Sequence, residues 1–335
     1  MKNIHLFLLI FLPFICGAQT TVKNLVFEGA GIRGIAYAGV LSELEKRKLN
    51  DSIEKVAGTS AGGITALTFA LGYKADEIAK LISETDFEKF NDGQYLFFGG
   101  FYRVGKKYGW YKTDAFVKWL EHVIAAKTTN PNITFAELHQ QGYKDLYITA
   151  VSLNKQRALV FSKHTYPNMR IKDAVRITMS VPLYFEAICI DSVGRIIEKP
   201  TLNTSYDLVV DGGITFNFPI SIFDSVAVIN GKTTRLANPN TIGVRIDTDE
   251  QIAQDTTNKQ LAVIEINTLS DYVNAFYTYT LENLNRQALM EEDWQRTISV
   301  SSIGITPKVK RLSQAQKQAL LQSGQKSTER YFRKL

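Results

Sequence analysis

Twice within residues 24–71, a short apolar run ends in a glycine turn and leads directly into a helix-patterned stretch. Leu25-Val26-Phe27 reads as a strand that stops at Glu28-Gly29-Ala30-Gly31, and Ile35, Gly39, Val40 and Leu44 then recur at helical spacing as far as Lys48. Ile53–Ala57 repeats the strand. The turn Gly58-Thr59-Ser60 follows, and an apolar helix runs from Ala61 to Leu71, where Gly72 ends it. Strand, turn and helix alternating in this way predict a sheet covered by helices, its first strands parallel, with chemistry at their carboxyl ends. Both glycine turns fall there.

The alternation continues downstream. Helices are expected at Thr113–Ala126, Ile171–Ser180 and from Ser313, and strands at Leu146–Ser152, Ala158–Phe161, Asp207–Val210, Thr241–Ile246 and near Ile298–Ile305. A long amphipathic helix is expected over Thr268–Met290, with Val273, Phe276, Tyr277, Thr280, Leu281 and Leu284 as core contacts. With 45% hydrophobic and 21% charged residues, the chain is ordinary for a globular protein. It has no repeat, low-complexity linker or proline-rich hinge, so residues 19–335 read as a single domain.

The first 18 residues read differently. Lys2, an apolar run from Ile4 to Ile15 and the small residues before Gln19 describe a cleavable secretory signal, cut after Ala18. Lipid attachment at Cys16 is disfavoured because Ile15 precedes it. The expected destination is the periplasm or the medium. Cys189 would then be the one remaining cysteine, so no internal disulfide is expected. No later apolar stretch is long enough to cross a membrane, which makes the mature chain soluble or peripheral in this reading. The net charge of +6 suits a loose attraction to anionic lipid surfaces and is too diffuse to indicate nucleic acid. No Cys/His cluster has zinc spacing and no Asp-rich loop resembles a calcium site, so no metal is expected.

Three short motifs carry candidate chemistry. In "VAGTSAGG" (56–63), Ser60 stands between Gly58 and Gly62 on a strand-to-helix turn, the context of a nucleophile elbow. A serine nucleophile needs a base. His122 and His139 fall in helix-like segments, and His164 follows a strand, with no histidine after it. Asp211 is the other candidate base, at the end of a strand and followed by Gly212 and Gly213. A carboxylate is a feeble base in water and becomes a competent one when partly desolvated beside the hydroxyl. Gly29-Ala30-Gly31-Ile32-Arg33-Gly34 matches a dinucleotide-binding glycine pattern. The acidic residue that a ribose would need after the second strand is replaced by Gly58-Thr59-Ser60. The same run of main-chain donors suits an oxyanion hole.

Assembled in this order, "EGAGIRG" (28–34), "GTSAG" (58–62) and "DGG" (211–213) resemble the patatin-like phospholipases, and "MSVPLYFEAI" (179–188) and "NFPI" (217–220) resemble family segments around the Asp block. The resemblance covers roughly residues 24–220. It implies a three-layer α/β/α fold with a mainly parallel central sheet and no metal or organic cofactor. It also implies Ser60 as nucleophile, Asp211 as general base, and an oxyanion loop spanning Gly29, Ala30, Gly31, Arg33 and Gly34. Arg33 occupies the basic position of that loop, where it could order the loop or meet a phosphate. Ala30 stands where many members have a third glycine, and a positive φ there would be strained. The implied substrate is a phospholipid or another acyl-ester lipid. A non-catalytic lipid- or partner-binding protein on the same fold is the alternative, motivated by two features. One is residues 91–112, where eight of 22 side chains are Phe, Tyr or Trp, and the other is the basic tail (Lys308, Lys310, Arg311, Arg330, Arg333, Lys334). The aromatic patch reads either as packing beneath a long loop or as a flap beside the site.

Overall fold

A computed structural model describes residues 21–93, 103–201, 204–306 and 311–334, without the side chains of residues 270, 274 and 277. The expected leader, residues 94–102 of the aromatic patch, Lys308 and Lys310 lie outside the described residues. The strands are β1 (Asn24–Phe27), β2 (Lys55–Gly58), β3 (Gly109–Tyr111), β4 (Asp145–Ser152), β5 (Arg157–Phe161) and β6 (Leu183–Phe185), followed by β7 (Ile188–Ile190), β8 (Asp207–Asp211), β9 (Ser225–Ile229), β10 (Lys232–Leu236), β11 (Thr241–Asp247) and β12 (Thr297–Ser301). The helices are α1 (Ile35–Lys46), α2 (Ala61–Ala70), α3 (Ala75–Glu84), α4 (Asp114–Thr128) and α5 (Phe135–Gln140), then α6 (Ile171–Thr178), α7 (Asp249–Thr257), α8 (Leu269–Arg286), α9 (Glu291–Gln295) and α10 (Gln314–Lys334).

The main sheet runs β12-β11-β1-β2-β4-β8-β7, with β5 also paired to β4. Its first five strands are parallel, and β5, β7 and β8 are antiparallel additions. The expected α/β architecture with a mostly parallel, helix-flanked sheet is therefore present. Strand periodicity divides the core. Leu25, Phe27 and Val56 point into the large cluster beneath the helices, while Val26 and Ala57 point to the other face and pack with Tyr147, Phe218 and Ile220. The C-terminal α10 lies on α1 at very close range: a Cβ on Gly39 would collide with the Leu321 carbonyl, and one on Gly324 with the Ala36 carbonyl.

The face of α8 that packs is not the expected apolar one. Val273, Phe276, Thr280 and Leu284 are exposed, Phe276 at 66%, and Leu281 is only half-buried. The side chain of Tyr277 lies outside the described residues. The helix faces the body through its polar residues instead. Arg286 pairs with the buried Asp255, Glu282 with the buried Arg245, and Asn285 reaches the loop after β8. Spacing defined two stripes on this helix. Ionic partners on β11 and α7 selected the polar one.

Candidate functional site

Ser60 sits between β2 and α2 with φ 51° and ψ −123°, a conformation that costs a non-glycine residue energy and projects its side chain outward. The turn closes because its neighbours are small. A Cβ on Gly58 would lie 2.2 Å from the Gly62 carbonyl oxygen, and one on Gly62 would lie 2.4 Å from the Glu28 carbonyl oxygen. The Ser60 N–H donates to Thr178 Oγ1 at 2.9 Å, and the Ser60 hydroxyl lies 3.6 Å from the Met179 sulfur. Thr178 ends α6, so a third element fixes the strained turn.

Asp211 reaches the same place from the opposite direction. β4 extends four residues beyond the level where Ile148 faces Gly58, and β8 pairs antiparallel with that extension, setting Asp211 opposite Ala150. The last residue of β8 thereby comes down to the crest where β1 and β2 end. Asp211 is buried (5% exposed), and its carboxylate accepts the Gly213 N–H at 2.7 Å. Burial pushes its carboxyl up to about 7, against the pull of that N–H and of the neighbouring Ser60 hydroxyl. Gly212 is required by proximity, since a Cβ would meet Thr149 Oγ1 at 2.3 Å. Thr149 in turn lies 2.6 Å from Thr59 Oγ1, which links the base loop to the residue before Ser60.

The glycine-rich loop forms a short 3-10 helix over Gly31–Gly34. Gly31 has φ 55°, whereas Ala30 has φ −132°, so the third glycine is not needed and Ala30 is unstrained. Three residues of the loop do other work than donating to a ligand. The Gly29 N–H is bonded to the Asn217 carbonyl at 3.1 Å, and the Arg33 N–H to the Ala30 carbonyl at 3.3 Å. Gly34 provides room, with Ala61 Cβ 3.2 Å from where its own Cβ would be. Arg33 Nε also donates to the Ala30 carbonyl at 3.1 Å, the loop-ordering contact. Ala30 and Gly31 precede the internal bonds of the short helix, which leaves their N–H groups without an intrahelical acceptor.

The histidines are elsewhere. His122, His139 and His164 are all exposed: His122 bonds the Lys118 carbonyl, His139 faces Asp145 and Lys163, and His164 lies beside the Tyr147 ring. Part of the aromatic patch is packing: Tyr111 lies against Tyr184 and Phe185, on the strand pair β3–β6. Sequence reading missed Thr178, Met179, Asn217 and Asn285 as site neighbours. Met179 and Asn217 lie in the quoted family segments, and Asn285 had no local signal.

The β–turn–α elbow of Ser60, the buried Asp211 and the glycine-rich loop all stand at the crest of a helix-flanked, mostly parallel sheet, an α/β architecture. The family description "Patatin-like phospholipase" matches residues 25–224, and the chain belongs to that family of lipid hydrolases. It is 32% identical over 208 residues to an uncharacterized protein of Acanthamoeba polyphaga mimivirus (62% of this chain, 63% of that one). It is 27% identical over 200 residues to "Probable lipid hydrolase 463L" of Invertebrate iridescent virus 6 (60% and 62%). The chain thus spans less than two thirds of the length of the curated relatives it matches. Among solved structures, VipD from Legionella pneumophila has the same fold, with TM-score 0.55 and 16% identity, covering 94% of this chain and 67% of VipD.

Proposed function

We propose that this chain is an exported lipid acyl hydrolase, phospholipase A-like or a broader carboxylesterase, working through Ser60 and Asp211. The observation that carries the reading is the strained, outward Ser60 beside a buried Asp211 whose pKa is raised to about 7. A carboxylate with a pKa near the working pH can take a serine proton and return it.

Ser60 Oγ attacks the ester carbonyl carbon as its proton passes to Asp211. The tetrahedral oxyanion is held by the Ala30 and Gly31 N–H groups, next to the N-terminus of α2. Collapse breaks the ester C–O bond, and Asp211 protonates the departing alcohol or lysolipid. Water then attacks the acyl-enzyme, gives its proton to Asp211, and releases the fatty acid as that proton returns to Ser60. Substrate lies in a lipid surface, and the exposed Leu269, Tyr272, Val273 and Phe276 of α8, a helix bonded to the base loop through Asn285, suit peripheral contact with it.

A fluorophosphonate probe should label the wild-type protein and not Ser60→Ala. Equal labelling of both removes Ser60 from the reaction. Vesicle binding without acyl release from any ester would favour the lipid-binding alternative. Export predicts a mature protein beginning at Gln19, readable by mass spectrometry of the extracytoplasmic fraction.

A further inference from the structure

We infer that Ile82, Phe87 and Phe90, which line the apolar cavity beside the Ser60 turn, form an end wall that limits the length of the acyl chain the cavity takes. This rests on the acyl-hydrolase reading above. The cavity is a partly open cleft, with about 640 Å³ of space between its walls and the adjoining solvent. Gly31 of the glycine-rich loop, Ala61 directly after Ser60, and Met179 beside the Ser60 hydroxyl line it at the reacting end. An acyl group attached to Ser60 would therefore enter it without turning away from the oxyanion donors.

Among the described residues, the lining holds no charged side chain, and Asn91 supplies its one polar side chain. A phosphodiester or ammonium headgroup would lose its hydration there with nothing to replace it. A hydrocarbon chain, by contrast, strengthens binding about fourfold for each methylene taken out of water. The acyl chain is thus the part of a lipid that this cavity accepts, and the headgroup stays at the surface.

The inner end is braced. The Phe90 ring packs 5.1 Å from Phe116, 5.6 Å from Phe87 and 5.7 Å from Trp119, and the Trp119 indole N–H donates to Thr85 Oγ1 at 3.1 Å. Behind Ile82 and Phe87 a second cavity begins, lined by Glu84, Glu88, Arg311 and Lys317. A longer chain would have to displace a packed aromatic cluster or enter charged surroundings, and both set an upper limit.

The test is the ratio of kcat/KM for p-nitrophenyl dodecanoate over butanoate, because a general loss of folded protein affects both esters alike. Ile82→Trp should lower the ratio about tenfold or more, and Ile82→Ala should raise it. In the Ser60→Ala background, calorimetric binding of dodecanoic acid should weaken about tenfold on adding Ile82→Trp, a readout that needs no turnover. A ratio and an affinity both within about twofold of the parent overturn the assignment. Loss of hydrolysis of both esters in Ser60→Ala alone leaves the nucleophile standing whichever way the ratio moves. Hydrolysis that survives Ser60→Ala overturns the nucleophile and not the cavity.

Discussion

Asn217 and Gly29 are joined by a reciprocal pair of hydrogen bonds: the Gly29 N–H donates to the Asn217 carbonyl, and the Asn217 side-chain amide donates to the Gly29 carbonyl, each at 3.1 Å. The pair ties the glycine-rich loop to the base loop, 188 residues apart in the chain. Asn285 extends it, accepting the Asn217 N–H at 2.6 Å and donating to the Gly213 carbonyl at 3.2 Å. Asn217 thus acts as a positioning residue. Asn217→Ala should reduce kcat about 10-fold, the loss of its one side-chain hydrogen bond to the Gly29 carbonyl, with the midpoint of the pH–rate profile unmoved. A shifted midpoint would mean that Asn217 acts on the base itself.

Activity should depend on pH through Asp211. Only its ionised form accepts the serine proton, and burial raises its pKa to about 7. The rate of kcat/KM is expected to rise with pH and level off above about 7. A profile already flat from pH 5 upward would contradict a desolvated base. Asp211→Asn should reduce turnover by about 10²–10⁴-fold, measured on a soluble ester.

The same carboxyl affects stability. Its folded pKa lies above the ordinary 3.8, so between those values the native state holds a proton that the unfolded chain releases. Stability from this group is complete below pH 3.8 and declines as pH rises to about 7, by an amount on the order of 4 kcal/mol. Asp211→Asn removes that cost. Thermal melts should show the variant gaining on wild type from pH 4 to pH 8, and a gap that narrows with rising pH would refute the sign.

Gly62→Ala should fail for steric reasons. The added Cβ would lie 2.4 Å from the Glu28 carbonyl oxygen and 2.5 Å from that of Phe27, both main-chain atoms held by the sheet. A loss of about 3 kcal/mol or more in denaturant unfolding is expected. Gly105→Ala meets nothing within 4 Å among the described residues and serves as the comparison, expected to be neutral.

The elbow, the glycine-rich loop and the Asp211 turn were legible because each is local. A glycine that must let backbone approach within van der Waals distance, or a serine between a strand and a helix, leaves its mark within five or six residues. The packed face of α8 is not legible in the sequence, because amphipathic spacing marks two faces without saying which one is covered. The ionic partners Arg245 and Asp255 that settle it come from β11 and α7. The motif alone makes Gly29 a free donor, and nothing local shows that the Asn217 carbonyl already holds its N–H.

The sequence by itself determined the alternation of strand and helix, the family, and the residue types at three turns, since these follow from period and from glycine's lack of a side chain. Tertiary structure alone decided that β8 runs against β4, which extends past β2 and so lets a strand arriving from the far side set Asp211 beside Ser60. It also decided that Asn285, from a helix beyond the matched region, holds the loops together. Pairing direction and long-range hydrogen bonds depend on which segments meet, and no window along the chain encodes that meeting.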